Sequence, residues 1–186
     1  MYKDRVKWDR RYSDKTIQLP SPVSFLLDNS SILNPGTVLD LACGDGAAAL
    51  YLAKESRFTV TAADISEQGL KRLTAFAAQQ GVNIRTVCVD LDDSDAVAEL
   101  GQYDNIVISL FKPSSEQFLR VVSLLKPAGK LMLSTFNQQH HEDTGFPLKY
   151  CLSDNEFSIV PSGLRLLEHH CNPDLAIDSY VFVAQG

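Results

Sequence analysis

A chain of 186 residues, 45% apolar and 22% charged, is long enough to bury one full core and too short for two domains of ordinary size, and this composition excludes extended disorder. Its net charge of −6, with basic residues clustered only at Lys3, Arg5, Lys7, Arg10, Arg11 and Lys15, disfavours a nucleic-acid substrate. No apolar run approaches the roughly 20 residues of a membrane span, and the N-terminus lacks the apolar core of a signal peptide, so the expected setting is the cytoplasm.

In chain order, a polar and partly amphipathic N-terminal segment leads to LPSPVSFLLDN, a turn followed by a short helix, and Asn34-Pro35-Gly36 punctuates before the first strand. TVLDLA (37–42) predicts a strand, Ala47 to Lys54 a helix, FTVTAAD (58–64) a strand and SEQGLKRLTAFAAQQ (66–80) a helix closed by Gly81. NIRTVCVD (83–90) is then a strand, DSDAVAEL (93–100) a short capped helix, YDNIVISL (103–110) a strand and SSEQFLRVVSLL (114–125) a helix. The turn KPAGK leads into the strand LMLSTF (131–136). Nearly all-apolar strands separated by helices of this length predict a parallel sheet with right-handed crossovers, covered on both faces: a Rossmann-like three-layer α/β sandwich.

The C-terminal part departs from that alternation. A polar loop, NQQHHEDTGFPLKY (137–150), and a short helical piece around LSDNEFSIV (152–160) precede two strand-like segments, 164–170 and 179–185, whose short connection requires antiparallel pairing. Cys43, Cys88, Cys151 and Cys171 lie far apart without C-x-x-C spacing, and read as reduced, mostly buried thiols rather than a disulfide or zinc framework.

VLDLACGDGAAALYLA (38–53) carries the chemistry. Gly44-Asp45-Gly46 followed by Ala49 fits G-x-G-x-x-G/A, a strand-to-helix turn that brings backbone close to a ligand at a helix N-terminus. Asp64, twenty residues after Gly44, can accept from both ribose hydroxyls of an adenosine. A nicotinamide dinucleotide and S-adenosylmethionine both carry that adenosine. Three features favour the second. Asp40 lies inside the first strand, where a carboxylate repels a pyrophosphate and attracts an ammonium or sulfonium. Asp90, with Leu91 beside it, can accept from an adenine amino group. The antiparallel terminal hairpin is foreign to the usual dinucleotide strand order.

These segments resemble the class I S-adenosylmethionine-dependent methyltransferases: VLDLACGDG, AADIS, VCVDLDD, YDNIVISL and LLKPAGKLMLSTF correspond to the family's successive motifs, in order, from about Trp8 to the end of the chain. The resemblance implies a seven-stranded sheet in the order 3-2-1-4-5-7-6 within one domain, 1–186, whose first thirty residues cover the cofactor. WDRRYSD is similar to the start of small methyltransferases of the tellurite-resistance and thiopurine type, although Ala47-Ala48 stands where those relatives commonly have Arg-Asn. The cofactor set so implied is Trp8, Arg11, Tyr12, Asp40, Ala42, Cys43, Gly44, Gly46, Asp64, Ile65, Asp90, Leu91 and Ser109, with no metal.

On the acceptor side, SLFKPSS after the fourth strand lacks the N/D-P-P-Y/F of enzymes that methylate amide or exocyclic base nitrogens, so a small-molecule acceptor is expected. His140 and His141 are the candidate bases, and Phe111, Phe136 and Phe146 either line a pocket or pack as ordinary core. His169 and His170, on a strand, face opposite sides of the sheet and read as structural. A silent S-adenosylmethionine-binding regulatory module and an NAD(P) oxidoreductase are the competing functions. Oligomeric state has no signature in the sequence.

Overall fold

The computed structural model describes residues 2–154, 156–157 and 159–185. Helix α1 (Tyr2–Asp14) and the short α2 (Ser24–Asn29) precede β1 (Gly36–Leu41), α3 (Ala47–Leu52), β2 (Phe58–Asp64) and α4 (Glu67–Gln80). There follow β3 (Arg85–Cys88), α5 (Ser94–Ala98), β4 (Tyr103–Ser109), α6 (Ser115–Ser123), β5 (Leu125–Phe136), α7 (Gln138–Thr144), β6 (Leu164–Asn172) and β7 (Ile177–Ala184). The strands form one sheet in the order β3-β2-β1-β4-β5-β7-β6, parallel from β3 to β5 and antiparallel at β5-β7 and β7-β6. This is the predicted order.

Because successive strand residues point to opposite faces, the apolar runs serve two cores at once. Val38, Val60, Ala62, Val107, Met132 and Val181 pack under α2, α3 and α4, while Leu39, Leu41, Ile106, Ile108, Leu131 and Leu133 pack under α5 and α6. Ser66 caps α4 by accepting from Gly69 N–H, Gly81 ends that helix at φ 65°, and Ser114 with Gln117 closes a capping box on α6.

Five local expectations are corrected. The strand predicted over 83–90 shrinks to four residues, since its ladder partner β2 ends at Asp64, opposite Cys88. β5 starts at Leu125, ahead of the predicted 131, because Leu125 already pairs with Tyr103 and the register then shifts before Asn105 meets Lys130. The polar loop contains a helix, α7: Gln138 donates to Glu142 and Gln139 to Asp143, one turn apart, and Gly145 at φ 71° stops it. A helix polar on every side has no apolar period to read. Two of the four thiols, Cys88 and Cys171, are exposed rather than buried, both on strands at the sheet's edges, and all four are free. Within 152–160, Asn155 and Ser158 lie outside the described residues, and those described form turns and bends rather than a helix. Among the described residues no helix is long and apolar enough to cross a membrane.

Candidate active site at the carboxyl ends of the strands

The site begins where β1 stops. Ala42 takes a left-handed conformation (φ 55°), Cys43 N–H donates to Ala63 of β2 at 3.1 Å, and Gly44 and Gly46 follow at φ 57° and 83°. Gly46 opens α3. A Cβ at Gly44 would lie 2.0 Å from the Tyr12 hydroxyl, and one at Gly46 would lie 2.2 Å from Leu73 Cδ1. Glycine is therefore required by contact as well as by dihedral angle. The turn is clamped between α4 beneath and α1 above.

Two carboxylates hold the turn. Asp64, at the end of β2, accepts from Gly44 N–H at 2.7 Å through one oxygen and from Ser66 N–H at 2.7 Å through the other. Asp40, one strand over and 1% exposed, accepts from Ala49 N–H of α3 at 2.9 Å. Burial pushes the Asp40 carboxyl up to about 7, the charge of Asp64 adding and the Ala49 bond opposing. Asp64 is raised as well, first by burial and then by Asp9 and Asp45, against its two backbone bonds. The half-buried Cys43 beside them has its thiol raised well above the usual value, by burial and by both carboxylates. Negative charge accumulated in so dry a place is matched to a cationic ligand.

The N-terminal helix is fastened over this site at both ends. Asp9 accepts from Ser66 Oγ at 2.7 Å and from Gln68 N–H at 3.0 Å, and Arg5 pairs with Glu67 at the start of α4. At the other end Asp45, between the two glycines, pairs with Lys15 at 2.7 Å and Arg72 at 3.3 Å, while Arg72 also donates to the carbonyls of Lys15 and Thr16. Trp8 and Tyr12 stack with centroids 6.2 Å apart, and the Arg11 guanidinium lies 5.2 Å from the Trp8 ring centre. Tyr12 thus meets the turn at Gly44, with Trp8 stacked on Tyr12 and Arg11 on Trp8. Arg72 and Asp45 were missed as positioning residues. Asp45 is the variable residue of G-x-G, and no local signal links it to a residue 27 positions away. Replacing Arg72 by Ala is expected to free the C-terminal end of α1, weakening ligand binding at the glycine turn about tenfold, the effect of losing one charged hydrogen-bond cluster. Calorimetry, with tryptic cleavage after Lys15 as the readout of loosening, checks this.

Along the same edge, Asp90 follows β3 and accepts from Asp92 N–H at 3.0 Å, with Leu91 and Ile65 half-buried near the end of β2. Ser109 ends β4 with its buried hydroxyl lacking a partner, as does Ser134, its register neighbour on β5. Past β5 the chain builds an aromatic wall. His140 lies on Phe136 (3.9 Å between ring centres, 12° between planes), Phe146 meets both rings edge-on at 5.4 Å, and Tyr150 is 5.9 Å beyond. His141 turns away, its Nδ1 bonded to the Phe146 carbonyl at 2.6 Å. Lys7 joins wall and cover, its ammonium 5.3 Å from the Trp8 ring centre and 5.4 Å from that of Tyr150. Phe136 and Phe146 therefore line this edge, whereas Phe111 packs against the α5/α6 core. His169 stacks on Tyr180 and His170 on Phe25, on opposite sides of the sheet. Among the described residues no three His, Cys, Asp or Glu side chains converge as a metal site.

The sequence profile of the methyltransferase domain matches residues 38–129, which contain the glycine turn, Asp40 of β1 and Asp64 of β2. A ubiquinone biosynthesis O-methyltransferase of Coxiella burnetii (strain Dugway 5J108-111) is 31% identical over 136 residues, covering 70% of this chain and 57% of that protein, so the chain spans little over half the length of this relative. In three dimensions the chain is similar to TehB from Haemophilus influenzae (TM-score 0.71, 18% identity, covering 96% of this chain and 67% of that one). It is also similar to an S-adenosylmethionine-dependent methyltransferase from Clostridium acetobutylicum ATCC 824 (TM-score 0.69, 15% identity, covering 100% and 99%). Profile, strand order and glycine turn agree: residues 38–129 belong to the methyltransferase-domain family, within the fold of the solved methyltransferases that the chain resembles.

Proposed function

We propose that this chain is one methyltransferase domain that transfers the methyl group of S-adenosylmethionine to a small-molecule acceptor in the cytoplasm, with residues 1–30 covering the cofactor. The observation that carries the reading is the buried Asp40–Asp64 pair beneath the glycine turn, which offers anionic hydrogen-bond acceptors to a cation with an adenosine and repels a pyrophosphate. The residues fit the cofactor. Each Asp64 oxygen retains a lone pair for a ribose hydroxyl, Asp40 faces the cationic methionine end, and the unpartnered Ser109 hydroxyl is a further polar contact. Asp90 and Leu91 take the adenine with Ile65; Ala42, Cys43, Gly44 and Gly46 supply backbone; Trp8, Arg11 and Tyr12 close the cover. When bound, the cofactor supplies an activated methyl group, its carbon–sulfur bond breaking with the electron pair left on sulfur as the acceptor's lone pair forms the new bond.

The protein's own contribution is alignment and exclusion of water, achieved by α1 closing on the turn. An oxygen acceptor comes first, since the Coxiella relative is named an O-methyltransferase; a hydroxyl needs a group to receive its proton. Of the two histidines, His140 suits this role: it lies in the aromatic wall after β5, and among the described residues no hydrogen bond to its ring nitrogens is found, whereas His141 is bonded to the Phe146 carbonyl. His140→Ala is expected to lower turnover at least tenfold with cofactor affinity unchanged, within the usual contribution of a general base. His141→Ala loses the bond to Phe146 and loosens the loop, raising KM more than it lowers kcat.

Titration calorimetry with S-adenosylmethionine, S-adenosylhomocysteine and NADPH tests the reading, followed by detection of S-adenosylhomocysteine release with phenols, thiols, amines and chalcogen oxyanions. Tight binding of NADPH and none of S-adenosylhomocysteine overturns it. Cofactor binding with no turnover on any of these classes favours the silent regulatory module.

A further inference from the structure

We propose that the methyl acceptor is a flat aromatic molecule bearing a negatively charged group, its ring taken against Trp8, Phe146 and Tyr150 and its anion held by Lys7 and Lys149. The inference rests on the methyl-transfer reading and deepens it.

Two lysines from separate elements converge on one ring. The Lys7 ammonium, from α1, is 5.4 Å from the centre of Tyr150, and that of Lys149 is 4.8 Å from the same centre. They therefore stand no more than about 10 Å apart, within roughly a Debye length at physiological salt, so their repulsion is felt. Neither makes an ion pair with a described carboxylate. Among the other basic residues of the helical cover, Arg5 pairs with Asp9 and Glu67, Arg10 with Asp14 and Lys15 with Asp45, whereas Arg11 is stacked on Trp8. Lys7 thus lies over the rings of Trp8 and Tyr150 rather than against a described carboxylate. On α7, Glu142 and Asp143 accept from Gln138 and Gln139 and pair with neither lysine.

Chemistry and position then define the ligand. The rings of Trp8, Phe146 and Tyr150 offer flat apolar surface, and the lysines are point donors suited to a carboxylate, sulfonate or phosphate. Phe146 and Tyr150 follow β5, and Trp8 reaches them through Lys7 from the cover over the glycine turn. A ring held there brings its substituents to the strand ends where the cofactor's reacting end lies. Arg11, already stacked on Trp8 above the turn, is left to the cofactor.

The test compares catechol, its carboxylate protocatechuate and its amine dopamine, reading kcat/KM by S-adenosylhomocysteine release. Direct calorimetric binding of each probe to the protein saturated with S-adenosylhomocysteine gives the same preference without turnover. The carboxylate is expected to exceed catechol about tenfold and the amine by more, a contribution ordinary for charge complementarity. In the Lys7→Met/Lys149→Met double variant the carboxylate-to-catechol ratio is expected to fall to about one, and Lys149→Glu to shift preference toward the amine. Equal affinity for the three probes in the wild type, or an unchanged ratio in the double variant, overturns the inference. Failure to bind S-adenosylhomocysteine at all marks instead the failure of the methyltransferase reading, because neither lysine is assigned to the cofactor.

Discussion

Asp64→Ala is expected to lower affinity for S-adenosylhomocysteine by at least about a hundredfold, since two charge-assisted hydrogen bonds to the ribose are each worth roughly 1.5–3 kcal/mol. The same substitution leaves Gly44 N–H and Ser66 N–H without their acceptor, at a cost of about 1–3 kcal/mol each in stability if they stay buried. The two effects separate experimentally. Asp64→Asn keeps the shape and one acceptor oxygen, and is expected to bind with intermediate affinity at a melting temperature nearer the wild type. Adenosine alone is expected to lose as large a factor as the whole cofactor product, because Asp64 addresses only the sugar. If adenosine binding is unchanged while S-adenosylhomocysteine binding falls, the ribose assignment is wrong.

Asp40→Asn is expected to strengthen the ligand-free protein above neutral pH while weakening cofactor binding. An ordinary aspartate releases its proton near pH 4, whereas burial holds that of Asp40 to about 7. Between those values the folded state keeps a proton that the unfolded chain has lost, so stability falls as pH rises through this window and stays low above it. The asparagine variant bears no such charge. Its melting temperature is expected to match the wild type near pH 3.5, below the ordinary aspartate value, and to exceed it by roughly 5–10 °C at pH 8, from a few kcal/mol spread over a chain of this size. A cationic ligand draws the Asp40 proton off, so wild-type affinity is expected to rise from pH 6 to 8 and that of the variant to stay flat and about tenfold weaker at pH 8. Thermal melts and calorimetry at the three pH values check both parts. A melting-temperature difference independent of pH removes Asp40 from this role.

Much of the site was legible because it is built from short-range signals. Gly44, Gly46 and Asp64 are tied by a turn with fixed dihedral and hydrogen-bond demands, and those demands restrict which residue types can stand there. The antiparallel hairpin was legible for the same reason, its connection being too short to cross over. What was not legible depends on distant partners. The clamp of Asp45 by Lys15 and Arg72, the packing of Tyr12 onto Gly44 and the bridge from Trp8 through Lys7 to Tyr150 join segments separated by 27 to more than 140 positions. No local pattern records them.

The two adjacent histidines show the division. By residue type His140 and His141 were equivalent, and only the course of α7 distinguishes a ring stacked on Phe136 from one bonded to the Phe146 carbonyl. By itself, then, the sequence determined the succession of elements, the antiparallel terminal hairpin and the glycine turn, because apolar period, connection length and dihedral demand are local or nearly so, while the strand order was implied by the family resemblance. Tertiary structure alone decided how the cover is fastened and which cations lie over the rings of the aromatic wall. Those outcomes depend on which side chains meet across the sheet's edge, and that is known only once the chain has closed on itself.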